Sequence, residues 1–427
     1  MDKKSEVFLP IIIIVIGLLC FGLSFVFKDK INDNGGNGVN KENNETTYVG
    51  NYNTNLIKAV HEENKGSNYL VSPYSIEIAL DLLKEGSNNE TLEELNKAVP
   101  NRTLKDLNSK NVKVSNATFI NQRYKDGVEK TFTDNLKNKY NAEVIIDNIT
   151  AGIINNWAKE KTNGMIDHVV DVITPDFVYG VINAVALDLK FQYQFECNNT
   201  RETDFTKVDK TTMKVPMMNA TYGGKIKYVV NDSYSSIALP YKSEGEYNYE
   251  LVAILPNNLD GFINDLNDEK LNNIMKDSKE ANKDTHVYLS LPQFSYSFQL
   301  EDSSFARVLN KIGIKLVFDG QNADFSRFMT RENMQKYNIP NMSVTKAIHK
   351  TFIDLNEVGT KAAVVTYFGV DKNSAVMEQP EIIRINFDRP FVYMIRETGT
   401  NEILFFGIVY EPKEWNGNTC SNLEKEM

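Results

Sequence analysis

The chain has 427 residues, which is enough for one large domain or two, and its composition is that of an ordinary globular protein. Its formal net charge of -10 argues against nucleic acid as a partner, because phosphate contacts require clustered Lys and Arg. The three cysteines, Cys20, Cys197 and Cys420, allow at most one intramolecular disulfide in the part that follows the N-terminal apolar segment. The chain is therefore not a disulfide scaffold.

The N-terminal domain, residues 1–28, contains an apolar segment from Val7 to Phe27, which is 21 residues without a charge. This length predicts a transmembrane signal-anchor helix. Lysines lie close to both ends, so the positive-inside rule does not decide its orientation. A signal peptide is the alternative, although its apolar core is shorter and no small-x-small cleavage site follows. We expect a folded domain outside the cell surface, anchored by this membrane segment, with secretion as the alternative.

Residues 29–47 are rich in Asn and Gly and lack apolar periodicity, which predicts a flexible linker. Beyond it, Ser72 can cap a helix that Pro73 opens at its first position. Phe177 to Leu187 is an apolar strand whose Asn183 needs a hydrogen-bond partner if it is buried. The other predicted elements are helices at Asn53–Glu63, Thr131–Tyr140 and Phe305–Ile312, and strands at Val114–Ile120, Met213–Met218, Lys225–Val230, Ser236–Pro240, Tyr249–Pro256 and His286–Phe294.

The stretch from Val344 to Val370 has the composition of a strand but continues into polar surface chain. Ala347 to Leu355 is predicted to be a strand buried on both faces, with His349 within it. After Gly359, small and β-branched residues fit a central strand, yet Gly369 to Glu381 is polar and rich in turn residues. An exposed strand-like segment is an aggregation hazard. Its presence indicates that the segment is meant to pair at a later stage.

No motif of an enzyme is present. The four histidines lie in no supporting motif, and the chain has no G-x-S-x-G elbow, H-E-x-x-H helix, Walker loop or dinucleotide fingerprint. No pair of Cys or His residues has the spacing of metal ligands. We therefore expect neither catalysis nor a metal or cofactor.

Three motifs occur in a fixed order toward the C-terminus. Asn356 to Ala363, NEVGTKAA, resembles the proximal hinge of inhibitory serpins, and Phe387 to Phe391 and Ile403 to Gly407 resemble the closing strands of the same family. The resemblance covers about Tyr48 to Pro412 and leaves residues 413–427 as a polar tail. It implies an α+β serpin fold, with three β-sheets, about nine helices and an exposed reactive-centre loop.

The resemblance also implies roles for four residues in the opening region of the main sheet. Ser72 and Ser75 match two serines that help to govern opening, and Asn183 and His349 match an Asn–His pair at the centre. For the two serines, the alternative is a helix cap and a buried hydroxyl. For Asn183 and His349, the alternative is a hydrogen-bonded pair in a core that does not open.

Two positions depart from the family pattern where the loop enters the sheet. Phe191 stands in place of the usual Trp, and a ring is therefore retained. Gln293 stands where relatives often have a Lys that pairs with the hinge glutamate, here Glu357. We expect Gln293 to donate a hydrogen bond instead, which contributes about 1 kcal/mol.

The mechanism implied is that of a suicide substrate for a serine, or a cysteine, endopeptidase. The protease cleaves the loop, and the hinge then inserts into the main sheet and traps the acyl-enzyme. Inserted residues that point inward should be small or β-branched. Besides Glu357, Gly359 and Ala363, the hinge contains such an alternating set, namely Thr360, Ala362, Val364 and Thr366.

The position of the cleaved bond is left open by the sequence. The usual spacing of the family puts it between Asn373 and Ser374, whereas Lys372 would suit a trypsin-like protease. The loop is longer than in many relatives, so Val376 and Met377 are further alternatives, for elastase-like or chymotrypsin-like enzymes. We expect a monomer. Two other function classes remain: a noninhibitory serpin that acts as a surface binding or chaperone protein, and a surface adhesin.

Overall fold

The computed structural model describes the backbone of Ile12–Phe21 and residues 52–164, 166–243, 245–358 and 380–417. The α-helices in these ranges are α1 Tyr52–Asn64, α2 Pro73–Gly86, α3 Asn89–Ala98, α4 Lys130–Tyr140, α5 Ala151–Lys161, α6 Leu259–Asn264, α7 Asp268–Lys276, α8 Asp302–Lys311 and α9 Arg331–Lys336. The strands are β1 Ile12–Phe21, β2 Tyr69–Val71, β3 Val112–Asn121, β4 Glu143–Asp147, β5 Phe177–Leu187, β6 Arg201–Thr206, β7 Thr212–Tyr222, β8 Lys227–Val230, β9 Tyr234–Pro240, β10 Tyr249–Pro256, β11 Lys279–Glu280, β12 Thr285–Pro292, β13 Phe294–Glu301, β14 Ser343–Leu355, β15 Glu381–Asn386, β16 Phe391–Glu397 and β17 Ile403–Val409.

The strands form three sheets. The main sheet has the order β13-β14-β1-β5-β3-β4, the second has the order β11-β8-β9-β10-β16-β17-β2, and the third has the order β15-β12-β7-β6. Every residue of β5 is buried, as are all residues of β10, β16 and β17. The predicted α+β fold with three sheets is therefore confirmed.

Helix α2 begins as the sequence predicts and packs against the main sheet. Ser72 has extended backbone at the N-cap, its hydroxyl accepts a hydrogen bond from the backbone N–H of Ser75 at 3.1 Å, and Pro73 follows at the first helical position. The helix contacts both β5 and β1. It fixes the two serines beneath the centre of the sheet.

Trp157 anchors α5 through a second apolar cluster. Its ring meets Phe119 of β3 edge-on, with centroids 5.8 Å apart, and Trp157 is 6% exposed. Ile182 of β5 and Ile348 of β14 belong to the same cluster. Helix α5 and β14 therefore share one apolar core.

One strand boundary differs from the prediction. The stretch His286–Phe294 is predicted as a single strand, but the structure divides it at Gln293. β12 pairs with β7 and β15 in the third sheet, whereas β13 pairs with β14 in the main sheet. The prediction is wrong here because periodicity within one stretch does not reveal a change of sheet.

The apolar N-terminal segment also differs from the prediction. Its described part, Ile12–Phe21, is a strand rather than part of a membrane-spanning helix. A run rich in Ile and Val satisfies the length rule for a membrane helix, but its β-branched residues favour a strand as well. Within the described ranges, no α-helix has the length and apolar character needed to cross a bilayer.

Candidate functional site

The candidate site is the opening in the main sheet between β5 and β14. β1 fills it and runs antiparallel to both neighbours, pairing from Ile13 with Phe352 to Phe21 with Ser343 on one side. On the other side the pairs run from Ile12 with Leu187 to Phe21 with Phe177. β5 and β14 are therefore held apart by one strand.

The serines of α2 lie directly beneath this opening. Both are fully buried. The backbone N–H of Ser72 donates to Nε2 of His349 at 3.4 Å, and the hydroxyl of Ser75 donates to Oδ1 of Asn183. Ser72, which also caps α2, therefore contacts the β14 side of the opening, and Ser75 contacts the β5 side.

The expected contact between Asn183 and His349 is absent. Ile16 of β1 is the register partner of both residues, so a whole strand separates them. Asn183 donates its amide to Oδ1 of Asn116 at 2.8 Å and is satisfied without the imidazole. Sequence reasoning missed Asn116 because its pairing with β5 depends on the register of β3.

One ring nitrogen of His349 is poorly hydrogen-bonded. Nε2 accepts from Ser72, so Nδ1 carries the proton, and Nδ1 makes no hydrogen bond of good geometry in the described part of the chain. Burial lowers the pKa of His349 to about 3, while a hydrogen bond with the backbone of Leu70 acts in the opposite direction. The imidazole is therefore neutral at neutral pH.

The hinge residue Glu357 lies at the end of the opening that follows β14. It is 3% exposed, and the amide of Gln293 donates to both of its carboxylate oxygens at 2.8 Å. The hydroxyl of Thr200 donates to Oε1 at 2.5 Å. The hydrogen bond expected from Gln293 is present, and Thr200 is a partner that the sequence did not indicate because it lies 157 residues away.

Phe191 lies just beyond the end of β5 and packs as a core ring. It is 1% exposed and stacks on Tyr241, with centroids 4.9 Å apart and planes 4° apart. The two residues also form an isolated β-bridge. The ring that stands in place of the family's usual Trp is therefore packed in the core.

The remaining predicted site residues lie outside the described residues. These are Gly359, Thr360, Ala362 and Ala363 of the hinge, and Lys372, Asn373 and Ser374 of the reactive centre. Cys197, which precedes Thr200 by three positions, is disulfide-bonded, in agreement with the single disulfide that the cysteine count allows.

Comparison with known proteins defines the class. The model of the family "Serpin (serine protease inhibitor)" matches residues 48–412. A leukocyte elastase inhibitor from Xenopus laevis is 28% identical over 384 residues, covering 84% of this chain and 96% of the relative. The native-state crystal structure of the thermophilic serpin tengpin superposes with a TM-score of 0.66 at 26% identity, covering 86% of this chain and 96% of that one.

A thyroxine-binding globulin in complex with thyroxine has the same TM-score of 0.66 at 22% identity, covering 85% of this chain and 98% of that chain. This last likeness concerns the fold alone. The three-sheet architecture and the family match agree over nearly the whole described chain beyond β1. The chain belongs to the serpin family.

Proposed function

We propose that this serpin inhibits a serine endopeptidase as a suicide substrate. The observation that carries the proposal is the continuity of β14 with the hinge. β14 ends at Leu355, and Glu357, held by Gln293 and Thr200, fixes the point from which the chain leaves the sheet. β13 already pairs with one edge of β14, so a chain that turns back after Val358 can pair only with the edge that faces β5.

The hinge sequence fits such a strand. Residues at alternate positions of an inserting strand meet packed surroundings and need to be small or β-branched, as Thr360, Ala362, Val364 and Thr366 are. The name of the Xenopus relative, an elastase inhibitor, agrees with this proposal. If Lys372 is the specificity residue, the target is trypsin-like.

The proposed location is outside the cell, with residues 1–28 either as an anchor or as a removed signal. In a bilayer, Val7 to Phe27 would be helical, because only a helix satisfies its own backbone there. The opening between β5 and β14 would then be vacant. Anchorage and the strand β1 are therefore alternative states of the same segment.

The test is incubation of the full chain, and of residues 48–427, with a panel of serine and cysteine proteases. We expect an SDS-stable complex with at least one protease, and mass spectrometry of the released peptide locates the cut. Cleavage of the loop in both forms with no complex and no gain in thermal stability would instead indicate a noninhibitory serpin. A surface adhesin would retain its binding after deletion of residues 369–378.

A further inference from the structure

The main sheet contains an acceptor site for one strand, and a segment of the same chain fills it. β5 and β14 each offer one edge to β1, while β3 and β13 cover their other edges. The occupant is ten residues long and includes no charged residue. A strand paired on both sides satisfies its backbone N–H and C=O groups.

β1 also has the direction that an inserted hinge would have. It runs antiparallel to β14. A chain that turns back after Val358 would run antiparallel to β14 as well, starting beside Leu355. Ile13 lies opposite Phe352, so the pairing of β1 with β14 begins three residues from the place where such a chain would begin. The two segments require the same edge, so only one of them can pair there.

We propose that Ile12–Phe21 is an internal plug of the main sheet and that this serpin traps a protease only after the plug has left. The proposal rests on the proposed inhibitory function and adds its regulation. The occupant is this chain's own N-terminal strand, and it is connected to α1 by the 30 residues from 22 to 51, a tether that can span the domain.

The surroundings of Ile16 indicate that the plug can leave. Its register partners are Asn183 and His349, and Nδ1 of the latter lacks a hydrogen bond of good geometry while β1 is seated. A buried donor that is poorly hydrogen-bonded is unfavourable. Withdrawal of β1 would allow the two polar side chains to approach across the opening. The poorly hydrogen-bonded Nδ1 of His349 therefore offsets part of the free energy that holds β1 in the sheet, and this cost disappears when β1 leaves.

The first experiment measures occupancy of the opening in the full chain. Cys20 is the register partner of Val344, so Val344→Cys places two cysteines opposite each other, within the reach of a disulfide. Ile348→Cys is the matched control, because Ile348 is also buried on β14 but lies opposite Gly17. Cys20 lies three residues beyond Gly17, so the offset between Cys20 and residue 348 is roughly 10 Å along the strand, beyond the reach of a disulfide.

We expect mild oxidation to link Cys20 to residue 344 within one chain, as read by non-reducing gels and peptide mass spectrometry, and to leave the control unlinked. Equal linkage in both variants, or none in Val344→Cys, would overturn the assignment of β1 to the sheet. A link between two chains would also overturn it, because the occupant would then come from a second copy.

The second experiment measures inhibition. Ile16→Lys places an ammonium in the middle of the strand, and Val39→Lys adds the same charge in the linker as a control. We expect the full chain and Val39→Lys to form little SDS-stable complex, and Ile16→Lys to form roughly ten-fold more. Tenfold requires only about 1.4 kcal/mol, and a charge at a register position between the fully buried residues Asn183 and His349 should disfavour the seated strand by more than that.

The failures are distinguishable. Equal complex formation by the full chain and Ile16→Lys would overturn the plug while leaving inhibition intact. The Cys20 link could form while no variant, including residues 48–427, forms a complex. In that case the proposed inhibitory function fails, and the proposal that β1 regulates it fails as well.

Discussion

Gln293 donates its side-chain amide to both carboxylate oxygens of Glu357, at 2.8 Å each. The hinge glutamate is thereby held without the cation that related chains often place at this position. Because Glu357 is 3% exposed, its carboxylate depends on these donors in place of water. The interaction joins the start of β13 to the end of β14, at the end of the opening through which the hinge would insert.

Gln293→Ala should destabilise the folded protein by about 1–3 kcal/mol, because a buried carboxylate loses one of its two side-chain donors. The measurement is the midpoint of urea unfolding. Gln299→Ala, at an exposed position of β13, is the control and should change the midpoint little. Equal effects of the two substitutions would show that the contact with Glu357 contributes nothing to stability.

Thr360→Arg should convert the inhibitor into a substrate that is cleaved without trapping, because an inward-pointing Arg cannot enter a packed sheet. The experiment is done on the Ile16→Lys chain, in which we expect β1 to leave the opening, and it reads the ratio of SDS-stable complex to cleaved product. Lys361→Arg is the control, at the neighbouring position that would point outward in an inserted strand. An undiminished complex with Thr360→Arg would contradict the hinge assignment.

His349→Gln should flatten the pH dependence of stability between about pH 3 and 6.5. In this window the unfolded imidazole is protonated and the buried one is not, since burial lowers its pKa to about 3. The unfolded state therefore binds more protons, and the wild type loses up to about 1.4 kcal/mol per pH unit as the pH falls through this window.

Urea unfolding at several pH values measures this slope in the two proteins. Burial also lowers the pKa of His61. Because His61 is present in both proteins, its contribution to the slope cancels in the comparison. The exposed His168→Gln variant reports the effect of simply removing an imidazole. Parallel slopes for the wild type and His349→Gln would contradict a neutral buried His349.

Gly407→Ala should destabilise the protein by about 1–3 kcal/mol, because overpacking forces neighbouring groups to move. A Cβ at this position would lie 2.6 Å from the hydroxyl of Tyr393, which is hydrogen-bonded to the hydroxyl of Tyr296 at 2.7 Å. Gly152→Ala in α5 is the control, since its nearest neighbour is 3.7 Å away. Thermal unfolding measures both, and a neutral Gly407→Ala would show that the tyrosines can shift freely.

Elements within one continuous pattern could be predicted from the sequence. Phe177–Leu187 and Tyr249–Pro256 match β5 and β10 in both boundaries, because unbroken apolar runs of strand length leave little choice. The Ser72 cap was equally local. The change of sheet at Gln293 and the contact of Thr200 with Glu357 depend on segments far apart in the chain, which local patterns do not contain.

The state of Ile12–Phe21 could not be predicted for the same reason. A charge-free apolar run is compatible with a bilayer and with a central strand, and the outcome depends on whether β5 and β14 leave an edge open. The separation of Asn183 from His349 follows from the pairing of β1 between β5 and β14. Both residues lie beside the opening, and the family pattern did not indicate the strand that fills it.

β1 is synthesised long before the strands with which it pairs. It is the first of the described strands to be synthesised, but β14, which forms one side of its site, is complete only at Leu355. At 5–20 residues per second, ribosomes need roughly 20 to 70 s to cover that distance. For this interval the apolar segment has no sheet to join and is open to capture by targeting factors, chaperones or a bilayer. If β1 is the proposed plug, the ratio of plugged to open chains should therefore depend on translation speed as well as on the energetics of the finished fold.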